Sequence, residues 1–202
     1  MRQNAPARET VAPRDSGSSD DAAMARIAGR DALAFARVVE AQLGLLHRVA
    51  YRMLGDAAEA EDVAQEALLR LWASAERWRP GQAGIAAWLT RVAVNLCLDR
   101  LRRRRFASDA EMPDRPDDSP GAEARMADEQ LRAAALAALG DLTERHRAAI
   151  VLTYYEELPN AAAAEVLEMK LKAFESLLLR ARGAMRSALA ARGLTTLAGE
   201  GA

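Results

Sequence analysis

The sequence predicts an all-α protein with two small helical domains joined by an extended acidic linker. Apolar residues make up 50% of the chain but aromatic residues only 4%, and the many alanines favour packed helices over sheets. Apolar residues recur at every third or fourth position in several long segments, as one face of a helix requires. A stretch containing Pro113, Pro116 and Pro120 separates these segments into two groups.

Composition sets the predicted domain boundaries. Residues 1–28 combine proline, serine, glycine and charged residues with few large apolar side chains, so we expect a flexible N-terminal tail. The first helical domain is predicted over 29–106 and the second over 129–192. The acidic segment 107–128 would be the linker, and 193–202 would be a C-terminal tail.

The first domain is predicted to contain amphipathic helices in series. An apolar stripe over 35–53 ends at Gly55, and Asp56 can cap a following helix with acidic outer positions. Proline and glycine residues place a loop over 78–84. Apolar periodicity resumes at Ile85, and that helix finishes in a cluster of arginines.

The second domain is predicted to end in a helix-turn-helix. One helix precedes Thr143, another begins there, and a short helix follows over 160–167. A turn at 168–170 then leads into a long helix from Leu171. A short helix, a tight turn and a longer helix in this order are typical of a helix-turn-helix.

The outer face of the last predicted helix carries hydrogen-bond donors of the kind that DNA phosphates and base edges require. These residues, with one carboxylate that can accept from a cytosine amino group, are Lys170, Lys172, Glu175, Ser176 and Arg180. A solvated helix face is the alternative interpretation.

The tryptophans lie close together in the first domain, where their rings could stack on unpaired bases. Trp72 and Trp88 occupy core-like helical positions; burial is favoured for Trp72, whereas burial and base contact stay equally open for Trp88. Trp78 lies at a loop edge, where packing explains it less easily. Asn95 is in mid-helix, where asparagine is unfavourable, so its amide is expected to have a task; a hydrogen bond between helices is the simpler alternative.

Charge is segregated although the net charge is only -1. Arg100 and the run 102–105 form a basic cluster, and the acidic linker follows directly. Arginines at the end of a helix offset its dipole by about 0.3–1 kcal/mol, but this cluster exceeds that need. A polyanionic partner is therefore indicated.

The sequence predicts no catalytic residue, no metal site and no cofactor. Cys97 is the single cysteine, so an internal disulfide is excluded and a thiolate zinc site is disfavoured. His47 and His146 lie outside any metal-ligand spacing. No apolar run is long enough to span a bilayer and no hydrophobic signal core is present, so we expect a cytoplasmic protein without membrane insertion.

Three segments resemble conserved regions of one family. Residues 56–72 resemble region 2.2 of sigma factors, 87–100 resemble regions 2.3 and 2.4, and 174–182 resemble the recognition helix of region 4.2. Their order, and the linker between them, identify the chain as similar to extracytoplasmic-function (ECF) sigma factors of the sigma-70 family. The resemblance implies a transcription initiation factor that is not an enzyme, with a sigma region 2 domain and a sigma region 4 domain.

The resemblance also implies partners and site residues. Core RNA polymerase would contact Asp62, Gln65, Glu66 and Leu69. The minus-10 promoter element, melted with the help of region 2, would contact Trp78, Trp88, Arg91, Asn95, Arg102 and Arg103. The minus-35 element would contact the outer face of the last helix defined above, and an anti-sigma factor would be a further partner.

The sequence departs from the family pattern at a few positions. Pro159 and Lys170 stand where capping residues are usual, Glu168 where glycine is usual, and Ile85 where an aromatic residue is usual. Two other functions remain as alternatives: a sigma mimic that binds only an anti-sigma factor, and a dimeric helix-turn-helix repressor. The retained arginines and Asn95 argue against the mimic, and no dimerisation module is visible for the repressor.

Overall fold

The computed structural model describes residues 16–79, 84–108 and 123–194. Within these ranges every regular element is helical, and the predicted all-α class is confirmed. The helices are α1 Ser16–Ala28, α2 Ala32–Leu54, α3 Ala57–Ser74, α4 Ile85–Ser108, α5 Glu123–Gly140, α6 Glu144–Ile150, α7 Asn160–Val166 and α8 Leu171–Ala190. A 3₁₀ turn, Ala75–Arg77, follows α3, and a π-helical segment, Val151–Tyr155, extends α6.

The first domain is formed by α1 to α4, with α2 packed along both α3 and α4. The predicted helix boundaries are confirmed at the start of α3, where Asp56 Oδ1 accepts the Glu59 N–H at 2.9 Å. Gly55 ends α2 at a φ of 71°, a left-handed conformation that favours glycine. The side chains with no exposed surface in this domain include Met24, Ile27, Leu46, Val49, Met53, Val63, Leu71, Leu89 and Val94.

The tail predicted over 1–28 is wrong for residues 16–28, which form α1. Met24 and Ile27 lie on one face of this helix and are fully buried in the core. The segment is polar on average, so its composition did not indicate a helix. Two apolar residues on one face are enough to dock a helix when another surface of the protein covers them. Residues 1–15 lie outside the described part of the chain.

The second domain is formed by α5 to α8, and its core contains the fully buried Phe174 of α8. The predicted helix-turn-helix is present as α7, a turn at 167–170, and α8. The linker predicted over 107–128 is wrong at both ends, since α4 runs to Ser108 and α5 begins at Glu123. Its middle, 109–122, lies outside the described residues.

Candidate functional site

The polymerase-binding candidates share the outer face of α3. Asp62, Gln65 and Leu69 are exposed and Glu66 is half-buried, at a spacing that aligns side chains along one side of a helix. Leu69 is 64% exposed although it is apolar, and Glu66 lies one turn before it on the same helix. An accessible leucine on an acidic surface provides both contact area and charge for a basic protein partner.

Arginines organise the charge on this face. Arg70 donates to Glu66 Oε1 at 2.6 Å, and Arg100 of α4 lies 3.8 Å from Glu66 Oε2 and 3.9 Å from Asp62 Oδ2. Gln65 donates to a neighbouring glutamate on the same helix. Because these pairs are at the surface, they align the carboxylates at little cost in free energy.

The packing that the sequence favoured for Trp72 is observed, and Trp78, whose loop-edge position was less easily explained by packing, also lies against the core. Trp72 packs edge-on against Phe35, with ring centroids 4.9 Å apart. Trp78 and Trp88 are half-buried against the core, and the Trp78 indole N–H donates to Asp21 Oδ1 at 2.9 Å. Each of these rings therefore has a fixed orientation, and the Trp78 N–H is already occupied.

The polar candidates of α4 differ in their partners. Asn95 is half-buried and has no hydrogen-bond partner among the described residues, so the hydrogen bond between helices that was the simpler alternative is not observed there. Arg91 is exposed and donates from Nη2 to the backbone carbonyl of Glu165 in α7, at 3.2 Å. The amide of Asn95 is thus available, whereas Arg91 is held by the second domain.

Part of the arginine cluster is structural, which the sequence did not indicate. Arg100 donates to the Glu59 carbonyl at 2.9 Å. Arg104 donates to the Leu54 carbonyl at 3.1 Å and forms an ion pair with the Glu59 carboxylate. Both side chains therefore join α4 to the connection between α2 and α3.

The other arginines of the cluster face solvent. Arg102 and Arg103 are exposed, and Arg102 forms an ion pair with Asp99 of the same helix at 3.4 Å. Arg105 is exposed and forms an ion pair with Glu144 of α6 at 3.3 Å. Arg102 and Arg103 consequently keep the charge that a phosphate backbone could use.

The minus-35 candidates are all exposed on α8 or at its start. Ser176 Oγ donates to the Lys172 carbonyl at 3.0 Å, and Arg180 Nε donates to the Ser176 carbonyl at 3.2 Å. These contacts lie within the helix and leave the remaining guanidinium donors of Arg180 facing outward. The face also contains Leu179, which is 67% exposed and which the sequence pattern did not single out.

The turn of the helix-turn-helix carries backbone strain. Glu168 has a φ of 53°, and its N–H donates to the Glu165 carbonyl at 3.1 Å. Neither Pro159 before α7 nor Lys170 before α8 supplies a side-chain cap. At Pro159, Glu168 and Lys170 the turn and the two helix starts therefore form without a glycine or a side-chain cap.

Arg147 of α6 connects the two domains and was not predicted to matter. Its side chain donates to the carbonyl of Met53 in α2, and to those of Gly140 at 2.7 Å and Leu142 at 3.4 Å. Burial lowers the pKa of Arg147, and the carbonyls at the ends of α2 and α5 compensate its charge. An arginine beside the apolar residues 148–152 was the available signal.

A second contact between the domains lies beside Arg147. Arg52 of α2 forms an ion pair with the nearly buried Glu156 at 2.9 Å, and its guanidinium lies 4.6 Å from the centre of the Tyr155 ring. Together with the contact made by Arg91, these interactions hold the second domain against α2 and α4.

The described residues contain no cluster of acidic, histidine or cysteine side chains that could hold a metal ion. Burial raises the pKa of the Cys97 thiol to about 12, so this residue is protonated and a poor nucleophile. None of the described helices is both long and apolar enough to cross a membrane.

Comparison with known proteins adds family information to this geometry. Residues 38–107 match the family model of Sigma-70 region 2, and 132–185 match that of Sigma-70, region 4. The ECF RNA polymerase sigma factor SigL of Mycobacterium tuberculosis is 34% identical over 178 residues, which cover 85% of this chain and 99% of SigL. SigE of Mycolicibacterium smegmatis is 36% identical over 149 residues, which cover 72% of this chain but 57% of SigE.

A solved structure agrees with these matches. CnrH, in complex with the cytosolic domain of CnrY, superposes with a TM-score of 0.63 at 27% identity, covering 86% of this chain and 98% of CnrH. The fold and both matched regions define a sigma factor of the sigma-70 type. The chain belongs to the ECF sigma factors, which are not enzymes but initiation factors that direct RNA polymerase to promoters.

Proposed function

We propose that the outer face of α3 binds core RNA polymerase, that α4 together with Trp78 binds the opened minus-10 element, and that the outer face of α8 binds the minus-35 element. The observation that carries this assignment is the exposure of three separate surfaces of suitable chemistry on one chain. One surface is acidic with an apolar centre, and the others present arginine, lysine, amide and hydroxyl donors.

The α3 face is the proposed polymerase contact because its exposed side chains are not needed for the core. Asp62 and Glu66 point away from the buried side of α3, where Val63 and Leu71 have no exposed surface. Reversing both charges should therefore leave the fold intact and weaken binding to a basic partner surface.

The test is a titration of labelled protein with core polymerase. Asp62→Lys combined with Glu66→Lys should lower the affinity at least about tenfold, which corresponds to about 1.4 kcal/mol. Glu40→Lys changes an exposed glutamate on α2 and serves as the matched control. Unchanged affinity of the double variant would remove α3 from the polymerase interface.

Asn95 is proposed to contact a base only after the base leaves the duplex. Its amide has no partner among the described residues, and it lies on the same helix as the exposed Arg102. Reading a flipped base requires unstacking first, so loss of the contact should impair opening more than initial binding.

Transcript-start mapping with reconstituted holoenzyme would supply a promoter for this comparison. Permanganate footprinting should then show a larger defect for Asn95→Ala on the duplex than on a pre-melted bubble. Arg103→Ala removes an exposed arginine from the same helix and provides the phosphate-contact control. A normal footprint for Asn95→Ala on the duplex would exclude a role of this amide in opening.

The minus-35 assignment predicts sequence-dependent effects from one helix face. Arg180→Ala should weaken discrimination between promoters that differ only at minus-35, by about five- to tenfold for one good base contact. Arg132→Ala removes an exposed arginine from α5 and is the control. Equal discrimination by the Arg180→Ala holoenzyme would place the minus-35 contact elsewhere.

We further propose that the protein acts in the cytoplasm, where promoter DNA and polymerase are located, and that an anti-sigma factor regulates it. CnrH, which has the same fold, was solved with the cytosolic domain of CnrY bound.

A further inference from the structure

Two adjacent aspartates on α1, Asp20 and Asp21, form hydrogen bonds with Ile85 and Trp78, which lie close together in the sequence. Asp21 Oδ1 accepts the indole N–H of Trp78 at 2.9 Å. Asp20 Oδ2 accepts the backbone N–H of Ile85, the first residue of α4, also at 2.9 Å. Neither aspartate has a role on the surfaces assigned above, although both contact groups of the proposed minus-10 surface.

Helix α1 is firmly placed, so these carboxylates are held in fixed positions. Met24 and Ile27 are fully buried one and two turns after the aspartates. At the other end of α1, Arg26 forms an ion pair with Asp31 at 2.6 Å, and Asp31 caps α2. Both acids are thereby presented from a helix that is anchored in the core of the first domain.

The contact of Asp20 depends on a glycine. A Cβ atom at Gly84 would lie 2.6 Å from Asp20 Oδ2, closer than real Cβ contacts allow. The Ile85 N–H is one of the backbone donors that the start of a helix leaves unpaired. Asp20 satisfies it from a distant helix, and a Cβ atom at position 84 would force the Asp20 carboxylate away from its present position.

We propose that Asp20 and Asp21 are positioning residues for minus-10 recognition, because they hold Trp78 and the first turn of α4 in place before DNA binds. This inference rests on the proposed assignment of Trp78 and α4 to the minus-10 element. Groups fixed during folding lose no further conformational entropy when they bind a ligand. Loss of either aspartate should therefore reduce selectivity for the minus-10 sequence while the remaining contacts persist.

The test uses holoenzyme assembled from the full chain and core polymerase. Open-complex yield is compared on promoters that differ only at minus-10, and on promoters that differ only at minus-35. Asp20→Ala and Asp21→Ala should each lower minus-10 discrimination about five- to tenfold and leave minus-35 discrimination within about twofold. Ser19→Ala alters an exposed neighbour on α1 and should have no effect.

Further variants separate positioning from general stability. Asp20→Asn and Asp21→Asn keep a carbonyl acceptor and should restore discrimination to within about twofold of the parent. Gly84→Ala should reproduce Asp20→Ala and add nothing in that background, because both remove the same contact. Trp78→Phe removes the indole donor and should likewise be non-additive with Asp21→Ala.

Each possible result has a defined meaning. Full minus-10 discrimination in the alanine variants, with a defect in Asn95→Ala, would overturn the positioning role and leave the proposed function intact. A parallel loss of minus-35 discrimination or of polymerase affinity would also overturn it, since the effect would then be general destabilisation. If Asn95→Ala and Trp78→Phe both keep full discrimination, the minus-10 assignment fails and this inference fails with it.

Discussion

Helices α2 and α3 of the first domain begin at side-chain caps, whereas the helix-turn-helix of the second domain begins both of its helices without one. Asp31 and Asp56 accept backbone N–H groups at the starts of α2 and α3, at 3.0 and 2.9 Å. In contrast, α7 and α8 follow Pro159 and Lys170, which make no such bond.

The turn after α2 and the turn after α7 also differ in how well their residues suit the backbone conformation. Gly55 occupies the left-handed conformation after α2, while Glu168 adopts it in the turn between α7 and α8. A side chain in this conformation costs roughly 1–2 kcal/mol relative to glycine. Local sequence thus favours α2 and α3 of the first domain, whereas the helix-turn-helix depends more on tertiary packing.

The largest expected effect comes from removing that packing. Phe174→Ala deletes a fully buried ring and should lower the free energy of unfolding of the second domain by about 3–5 kcal/mol. Hydrogen exchange with mass spectrometry should show lost protection in α7 and α8, and Leu71→Ala provides the matching cavity in the first domain. If Phe174→Ala exposes amides of α2 and α3 to the same extent, the domains unfold as one unit and the comparison fails.

Arg147→Met tests how strongly the domains support each other. The substitution leaves carbonyls at the ends of α2 and α5 without their charged donor, and should cost about 2–3 kcal/mol. Small-angle scattering should show a larger radius of gyration because the domains separate. Arg145→Met, at an exposed position of the same helix, should leave the radius unchanged. An unchanged radius for Arg147→Met would show that other contacts hold the domains together.

Substitutions at helix caps should change the stability of the two domains in opposite directions. Asp56→Ala should lower the stability of the first domain by about 1 kcal/mol, and Lys170→Ser should stabilise α8 by a similar amount. Urea titration followed by hydrogen exchange assigns each change to its domain. A neutral effect of Lys170→Ser would mean that the start of α8 is already satisfied by its surroundings.

The smallest effect is expected at the turn. Glu168→Gly relieves a positive φ but increases the freedom of the unfolded chain, so the net gain should be about 0.5–1 kcal/mol. Thermal denaturation measures this change, with Glu165→Gly in α7 as a control that should destabilise by about 1 kcal/mol. A loss of stability in Glu168→Gly would show that the glutamate side chain contributes a contact that offsets the strain.

Much of the fold could be predicted because most of the helices are specified by residues that lie close together in the sequence. Apolar periodicity, the glycine at position 55 and the cap at Asp56 placed α2 and α3 to within a few residues, and the helix-turn-helix was predicted from its element lengths. Helix α1 was missed because its apolar contribution is only Met24 and Ile27, which stabilise a helix only when another surface covers them.

The residue types on the candidate surfaces could be predicted from the sequence. Which of these side chains are free to bind a partner could not. Exposure of Leu69 and of the α8 donors agrees with the predicted roles, which stay predictions until binding is measured. Among the arginines, the sequence offered no means of distinguishing Arg100 and Arg104, which bind carbonyls, from Arg102 and Arg103, which face solvent.

The helical class, the order of the helices, several of their ends and the family could be predicted without the structure, because they follow from periodicity and from residues near one another in the chain. Which polar groups already have a hydrogen-bond partner became clear only from the packing of the helices. Asp20 and Asp21 lie far along the chain from Ile85 and Trp78, and Arg147 lies far from Met53. Hydrogen bonds between such distant residues depend on how the helices pack, and local sequence carries no signal for them.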